Sequence, residues 1–152
     1  MIVTKAVPDI HVAAGVLRDQ ENRILITQRP PSVPLAGAWE FPGGKIGIGE
    51  SPLQGLVREL NEELNVQVLY ARHLTRYSHT DHERRIYLYV WHVIDWAGQP
   101  SGAEGQVLRW LPVDQLMVEG LLPADERIVD CLLRPTAVNT CGNFSAAVAG
   151  SR

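Results

Sequence analysis

Residues 43–66, GGKIGIGESPLQGLVRELNEELNV, limit what this chain can fold into more than any other stretch. The first part is rich in glycine and the second has helical periodicity. Ser51 is a natural N-cap and Pro52 suits the first helical position, so a helix is expected over about 51–64. At roughly 100° per residue, Leu53, Leu56, Val57, Leu60 and Leu64 form one apolar stripe for a core. Glu59, Glu62 and Glu63 share the adjoining face. That placement opposes helix stability, because Glu59 stands at i, i+3 and i, i+4 to the other two, at about 0.2 to 0.5 kcal/mol per pair. The helix C-terminus also favours cations over anions. Arg58, four residues before Glu62, compensates in part. A run of Glu on a helix is ordinarily a solvated face. Three like charges on one narrow arc point instead to a hard divalent cation, since Mg²⁺ takes carboxylate oxygens and shares its shell with phosphates.

The flanking sequence supplies a sheet for this helix to cover. Residues 10–17 (IHVAAGVL) and 23–28 (RILITQ) read as two strands of a hairpin around the polar turn 19–22. Arg29 closes the second strand before Pro30 and Pro31, which forbid its regular continuation. Trp39, Glu40, Phe41 and Pro42 make a short strand leading into the glycines. Residues 66–72 and 86–96 (IYLYVWHVIDW) read as strands separated by the polar stretch 78–85. The second has both faces apolar, as a strand covered on each side would. Residues 98–105 are a loop carrying Glu104, a short helix is expected over 112–116, and an amphipathic helix over about 125–133 turns Ile128, Val129, Leu132 and Leu133 inward. Pro135 ends that helix. Residues 136–152 show no period and read as a loose or docked tail, giving one domain over 1–135.

Composition narrows the class. The chain has 152 residues, 45% hydrophobic and 20% charged, with a formal charge of −3, which suits one globular domain with a real core and gives a nucleic-acid polymer no basic face. Cys131 and Cys141 are too few and too irregular for a disulfide framework or a zinc site. His79 and His82 lie in a polar stretch and read as exposed or ligand-contacting. No apolar run approaches 18 residues, so no membrane partner and a cytoplasmic location are expected.

Gly44, Glu50 and the run Arg58-Glu59-Leu60-Asn61-Glu62-Glu63-Leu64-Asn65-Val66 resemble the signature box of the Nudix hydrolase family, and the resemblance extends over roughly residues 11–134. Asn65 departs from it, standing where the family has Gly; Asn is the non-Gly residue that best tolerates a left-handed helix end. The resemblance implies an α+β Nudix fold, an α/β/α sandwich with a central mixed sheet. It implies Mg²⁺, with Mn²⁺ able to replace it, held by Glu62, Glu63, Glu104 and the Gly43 carbonyl, with Glu59 as general base or further ligand. Glu50 and Arg58 would orient these groups as an ion pair, and Lys45 would meet developing phosphate charge. The choice of proton acceptor between Glu59 and Glu104 stays open.

Within the family the chain is most similar to the MutT-like branch, through Trp39-Glu40-Phe41-Pro42-Gly43-Gly44-Lys45, Arg29, Leu122-Pro123-Ala124-Asp125 and Glu104 ahead of Arg109-Trp110. That branch implies hydrolysis of 8-oxo-dGTP or a related purine triphosphate to the monophosphate and pyrophosphate, in nucleotide-pool sanitation. The base would be read by residues at Arg29, the Phe41 backbone and Asp125. Asp125 is a second departure, because the branch has Asn there and an ionised Asp only accepts hydrogen bonds. One mispaired buried polar contact costs about 1 to 3 kcal/mol. CTP or dCTP, ADP-ribose and a dinucleoside polyphosphate are alternative substrates, and a non-catalytic nucleotide-binding regulator is a further reading. The expected oligomeric state is a monomer or weak homodimer.

Overall fold

The helix expected after the glycines is α1 (Pro52–Leu64) in the computed structural model, which describes residues 6–134 and 145–147. The Ser51 hydroxyl accepts from the Gln54 N–H at 3.1 Å and the Gln54 side chain accepts from the Ser51 N–H at 2.9 Å, a reciprocal capping box. Asn65 ends the helix in the left-handed region at φ 57° and ψ 38°, as its position requires.

The chain runs β1 (Asp9–Leu17), β2 (Arg23–Gln28), β3 (Trp39–Glu40), β4 (Gly43–Lys45), α1, β5 (Gln67–Thr80), β6 (Arg85–Ala97), β7 (Val107–Pro112), α2 (Glu126–Leu133) and β8 (Ser145–Ala147). The larger sheet has the order β4-β1-β6-β5-β8, with β1 parallel to β6 and the other pairs antiparallel. β6 is central, which explains its two apolar faces. A second antiparallel sheet has the order β3-β2-β7.

Helices cover the two faces of the larger sheet. Leu56, Leu60 and Leu64 of α1, each 0% exposed, pack on Ala13, Leu17, Val68, Trp91 and Val93. Full burial of such a leucine contributes about 1.5 to 3 kcal/mol, an upper figure against a compact unfolded chain. Ile128 and Val129 of α2 lie in the other core with Val16, Leu88 and Val90 and with Ile24 and Ile26 of the small sheet. The result is the expected α+β sandwich on a mixed sheet.

Several local expectations need correction. β1 and β2 share only the Arg18↔Ile24 bridge and then diverge into different sheets, so the hairpin exists at its base alone. β5 runs on to Thr80, because its polar end residues still find backbone partners on β6; the connection shrinks to a turn in which Asp81 Oδ1 accepts from the Glu83 and Arg84 N–H groups. Residues 113–115 form a single 3-10 turn, and so do 123–125, which places Asp125 just before α2. Leu133 is 46% exposed rather than inward, since it lies at the last turn of a helix of eight residues. Within the tail, β8 adds to the β5 edge, pairing Tyr70 with Ala147 and Arg72 with Ser145; Cys141 and the rest of 136–152 lie outside the described residues. No helix among the described residues is long and apolar enough to cross a membrane.

Candidate active site

The acidic face of α1 is held against β4 by one guanidinium. Arg58 Nε and Nη2 donate to the two oxygens of Glu50 at 2.7 and 2.8 Å, and Nη1 donates to Glu59 at 2.9 Å and to Glu62 at 3.1 Å. A further Nη2 bond, 2.9 Å to the Lys45 carbonyl, ties the helix to the strand end. A planar fork of five donors suits this task, whereas a lysine could make only part of it. Gly43 has φ 153°, and a Cβ there would run into the Ala13 carbonyl oxygen, so β4 lies closer to β1 than another residue would allow. Its N–H donates to Glu63 Oε2 at 2.9 Å. Gly44 lies so close to the Glu59 carboxylate that a Cβ would collide with it.

Glu104 arrives from the loop between β6 and β7, which docks on the open C-terminal carbonyls of α1. The Glu63 carbonyl accepts from the Ala103 N–H at 3.1 Å and from Gln106 Nε2 at 2.6 Å; the Leu64 carbonyl accepts from the Ser101 N–H at 3.0 Å. These bonds satisfy helix-end acceptors that would otherwise need water. They also bring Glu104 into electrostatic reach of Glu59 and Glu63, whose carboxyls it helps raise.

The carboxylates are strained electrically. Burial is the main cause that pushes Glu63 up to about 8, against the lowering effect of the Gly43 N–H, and repulsion from Glu40, Glu59 and Glu104 adds to it. Glu59 is likewise raised, first by burial, while Arg58 opposes the shift. Glu50 is held down to about 2 by its hydrogen bonds with Arg58 and Gly47. Crowded, partly desolvated carboxylates are anionic hard-oxygen donors short of positive charge, which is the donor chemistry of Mg²⁺ or Mn²⁺. Among the described residues no three His, Cys, Asp or Glu side chains close into a ready cage. Glu59 and Glu62 each turn an oxygen to Arg58, and Glu63 turns one to Gly43.

A second polar group lies where the two sheets part. Asp125, 6% exposed, accepts the Phe41 N–H through Oδ2 at 2.8 Å. Its position is fixed from both sides, since the Ala124 carbonyl accepts from the Tyr77 hydroxyl and the Leu122 N–H donates to the Trp39 carbonyl at 2.9 Å. Burial pushes the Asp125 carboxyl up to about 7, with Glu40 adding repulsion and Arg29 opposing it. Arg29 is itself tied down, donating through Nε to the Pro34 carbonyl at 2.7 Å and through Nη1 to Glu40 at 3.1 Å. The two groups share one short segment: Phe41 N–H faces Asp125, Gly43 N–H faces Glu63, and the Pro42 carbonyl between them accepts from the Gly15 N–H at 2.9 Å.

A cluster of carboxylates beside a glycine-lined strand end has the donor chemistry for a divalent cation and a phosphate chain. The NUDIX domain profile matches residues 9–132. The 8-oxo-dGTP diphosphatase of Escherichia coli (strain K12) is 36% identical over 125 residues, 82% of this chain and 97% of that one. The CTP pyrophosphohydrolase of the same strain is 35% identical over 124 residues, covering 82% and 91%. The solution structure of the E. coli ORF135 protein superposes with a TM-score of 0.73 at 33% identity, covering 86% of this chain and 96% of that one. The chain belongs to the Nudix family and is a Nudix hydrolase, an enzyme acting on phosphoanhydride bonds.

The structure brings together Glu50, Arg58, Glu59, Glu62, Glu63 and Gly43, with Glu104 in reach, and separately Arg29, Phe41 and Asp125. Lys45 enters through its carbonyl; its ammonium makes no hydrogen bond or ion pair among the described residues. Glu40 and Gln106 were not singled out by sequence reasoning. Glu40 carried a signal, an acidic residue inside an otherwise apolar short strand next to the glycines. Gln106 carried none that distinguishes it from any loop glutamine.

Proposed function

We propose that the chain hydrolyses nucleoside triphosphates to the monophosphate and pyrophosphate, acting on 8-oxo-dGTP or a related purine deoxynucleotide with Mg²⁺ as its cation and Mn²⁺ as a substitute. The observation that carries this reading is the gathering of Glu59, Glu63 and Glu104, from two separated segments, against Gly43 and Gly44. A divalent cation bound among these carboxylates would neutralise phosphate oxygens and lower the pKa of a bound water. Glu62, Glu63, Glu104 and the Gly43 carbonyl would hold it. Glu59 takes a proton from the attacking water, with Glu104 as the competing acceptor. Arg58, gripping Glu50 at both oxygens, keeps Glu59 and Glu62 oriented. Lys45 meets charge that develops on phosphate.

Arg29, Phe41 and Asp125 read the base. The burial of Asp125 bears on which base that is. With its carboxyl up at about 7, the protonated form is available near neutral pH, and a neutral carboxylic acid both donates and accepts as the family's amide does. Ionised Asp125 only accepts, which favours an exocyclic amino group, and this supports a second reading in which CTP or dCTP is the substrate. The name of the 35% identical relative points the same way.

The test is hydrolysis of dGTP, 8-oxo-dGTP, dCTP, CTP and ADP-ribose side by side at pH 6 and pH 8.5, with and without Mg²⁺ and with Glu59→Gln as control. Faster turnover of 8-oxo-dGTP than of dGTP, strongest at pH 6, supports the purine reading. A cytosine preference that strengthens at pH 8.5 supports the second. Activity that survives removal of divalent cations, or full activity in Glu59→Gln, overturns the assignment of the site.

A further inference from the structure

Gln106 is 6% exposed although it sits in a loop of mostly exposed residues. Its amide spans two backbone groups that are far apart in sequence: Nε2 donates to the Glu63 carbonyl at 2.6 Å and Oε1 accepts from the Glu104 N–H at 2.9 Å. Both partners have fixed polarity, one acceptor and one donor, so a side-chain amide satisfies them together while a carboxylate satisfies only one. Ala103 and Ser101 also anchor the loop to the helix end, but among the described residues only Gln106 grips the backbone of Glu104 itself. The turn closes tightly on this residue. The Gly105 N–H donates to the Gly102 carbonyl at 3.0 Å, and Gly102 approaches the Gln106 carbonyl so closely that a Cβ would collide with it.

We infer that Gln106 is a positioning residue for the cation site, setting the separation between the loop carboxylate Glu104 and the helix carboxylates by clamping both backbones. The inference rests on the proposed reading of those carboxylates as cation ligands. Gln106 touches neither cation nor substrate; it acts through Glu104. Groups that orient ligands in this way are worth about 10- to 100-fold in metal affinity.

The test is direct Mn²⁺ binding to the full chain, measured by electron paramagnetic resonance of the free ion, for wild type, Gln106→Met and Gln106→Glu, each also in a Glu104→Gln background. Gln106→Met keeps the volume, and the Glu63 carbonyl keeps its bond from Ala103. Mn²⁺ affinity should fall about tenfold in both single variants. No further fall should occur once Glu104 has been replaced, because the two changes act through one ligand. The amount of Mn²⁺ needed for half-maximal activity should rise in step, with turnover recovering at saturating Mn²⁺. Should Gln106→Met fail to fold, Gln106→Glu is read by the same criteria. Wild-type affinity in the folded variants overturns the inference, as does a fall of equal size in the Glu104→Gln background. Failure of the wild-type chain itself to bind Mn²⁺ overturns the cation reading on which the inference stands.

Discussion

Replacing Glu63 by Gln should stabilise the metal-free protein, by an amount that grows with pH. Glu63 is 8% exposed, and its carboxyl is raised from the ordinary 4.5 to about 8 in the fold. For an acid whose folded value is raised, the folded chain keeps a proton that the unfolded chain has released. Stability is therefore lost as pH climbs from the unfolded value to the folded one, and the loss is complete above about 8. At about 1.36 kcal/mol per unit, the whole difference is on the order of 5 kcal/mol, of which about 3 kcal/mol falls between pH 5 and pH 7.5. Glu63→Gln removes this dependence and keeps an amide oxygen for the Gly43 N–H. Buried Asp125 titrates over an overlapping range in both proteins and drops out of the difference. The assay is urea unfolding with a chelator present, at half-unit steps from pH 5 to pH 8. The advantage of the variant should be under about 1 kcal/mol at pH 5 and about 4 kcal/mol at pH 7.5. A difference that stays constant across the range would refute the argument that Glu63 is strained by its surroundings.

Gly44→Ala should lower turnover nearly as much as Glu59→Gln, because the added methyl displaces the Glu59 carboxylate. Its unfolding midpoint should move little, since a flexible side chain is what yields. Arg58→Lys keeps the charge but loses the fork to Glu50 and its bonds to Glu59, Glu62 and Lys45; kcat should fall on the order of 100-fold, as misplaced catalytic groups do. Steady-state kinetics at saturating Mg²⁺ checks both. Asn65→Gly should raise stability by about 0.5 to 1 kcal/mol and Asn65→Ala lower it by about 1 to 2 kcal/mol, read from thermal unfolding, because the position is left-handed.

Much of the helix and its surroundings was legible because the signals are local. Ser51, Pro52 and Asn65 act within a few residues of themselves, and the leucine stripe of α1 needs only a partner surface of any kind. The clustering of the carboxylates was legible for the opposite reason, since their placement contradicts helix electrostatics. What escaped was set by tertiary pairing. The divergence of β1 from β2 depends on β6 and β7 claiming their edges, and the polar end of β5 becomes strand because β6 is long enough to pair with it. The raised carboxyl of Asp125 needed its burial, and the role inferred for Gln106 needed the docking of a loop on a helix end 43 residues away, as the Gln106 to Glu63 contact shows. Neither leaves a periodicity to read.

Phe41, Pro42 and Gly43 carry a consequence for selectivity. This tripeptide is built on the rigid ring of Pro42, whose carbonyl is pinned by Gly15, and its outer amides bond Asp125, proposed above to read the base, and Glu63, proposed above to hold the cation. On the proposed reading, a base that seats badly against Asp125 would shift Phe41, and Pro42 is the one residue between that shift and the Gly43 N–H that bonds Glu63. Wrong nucleotides would then be penalised in the rate of bond cleavage as well as in occupancy, and a molecule already captured could still be rejected.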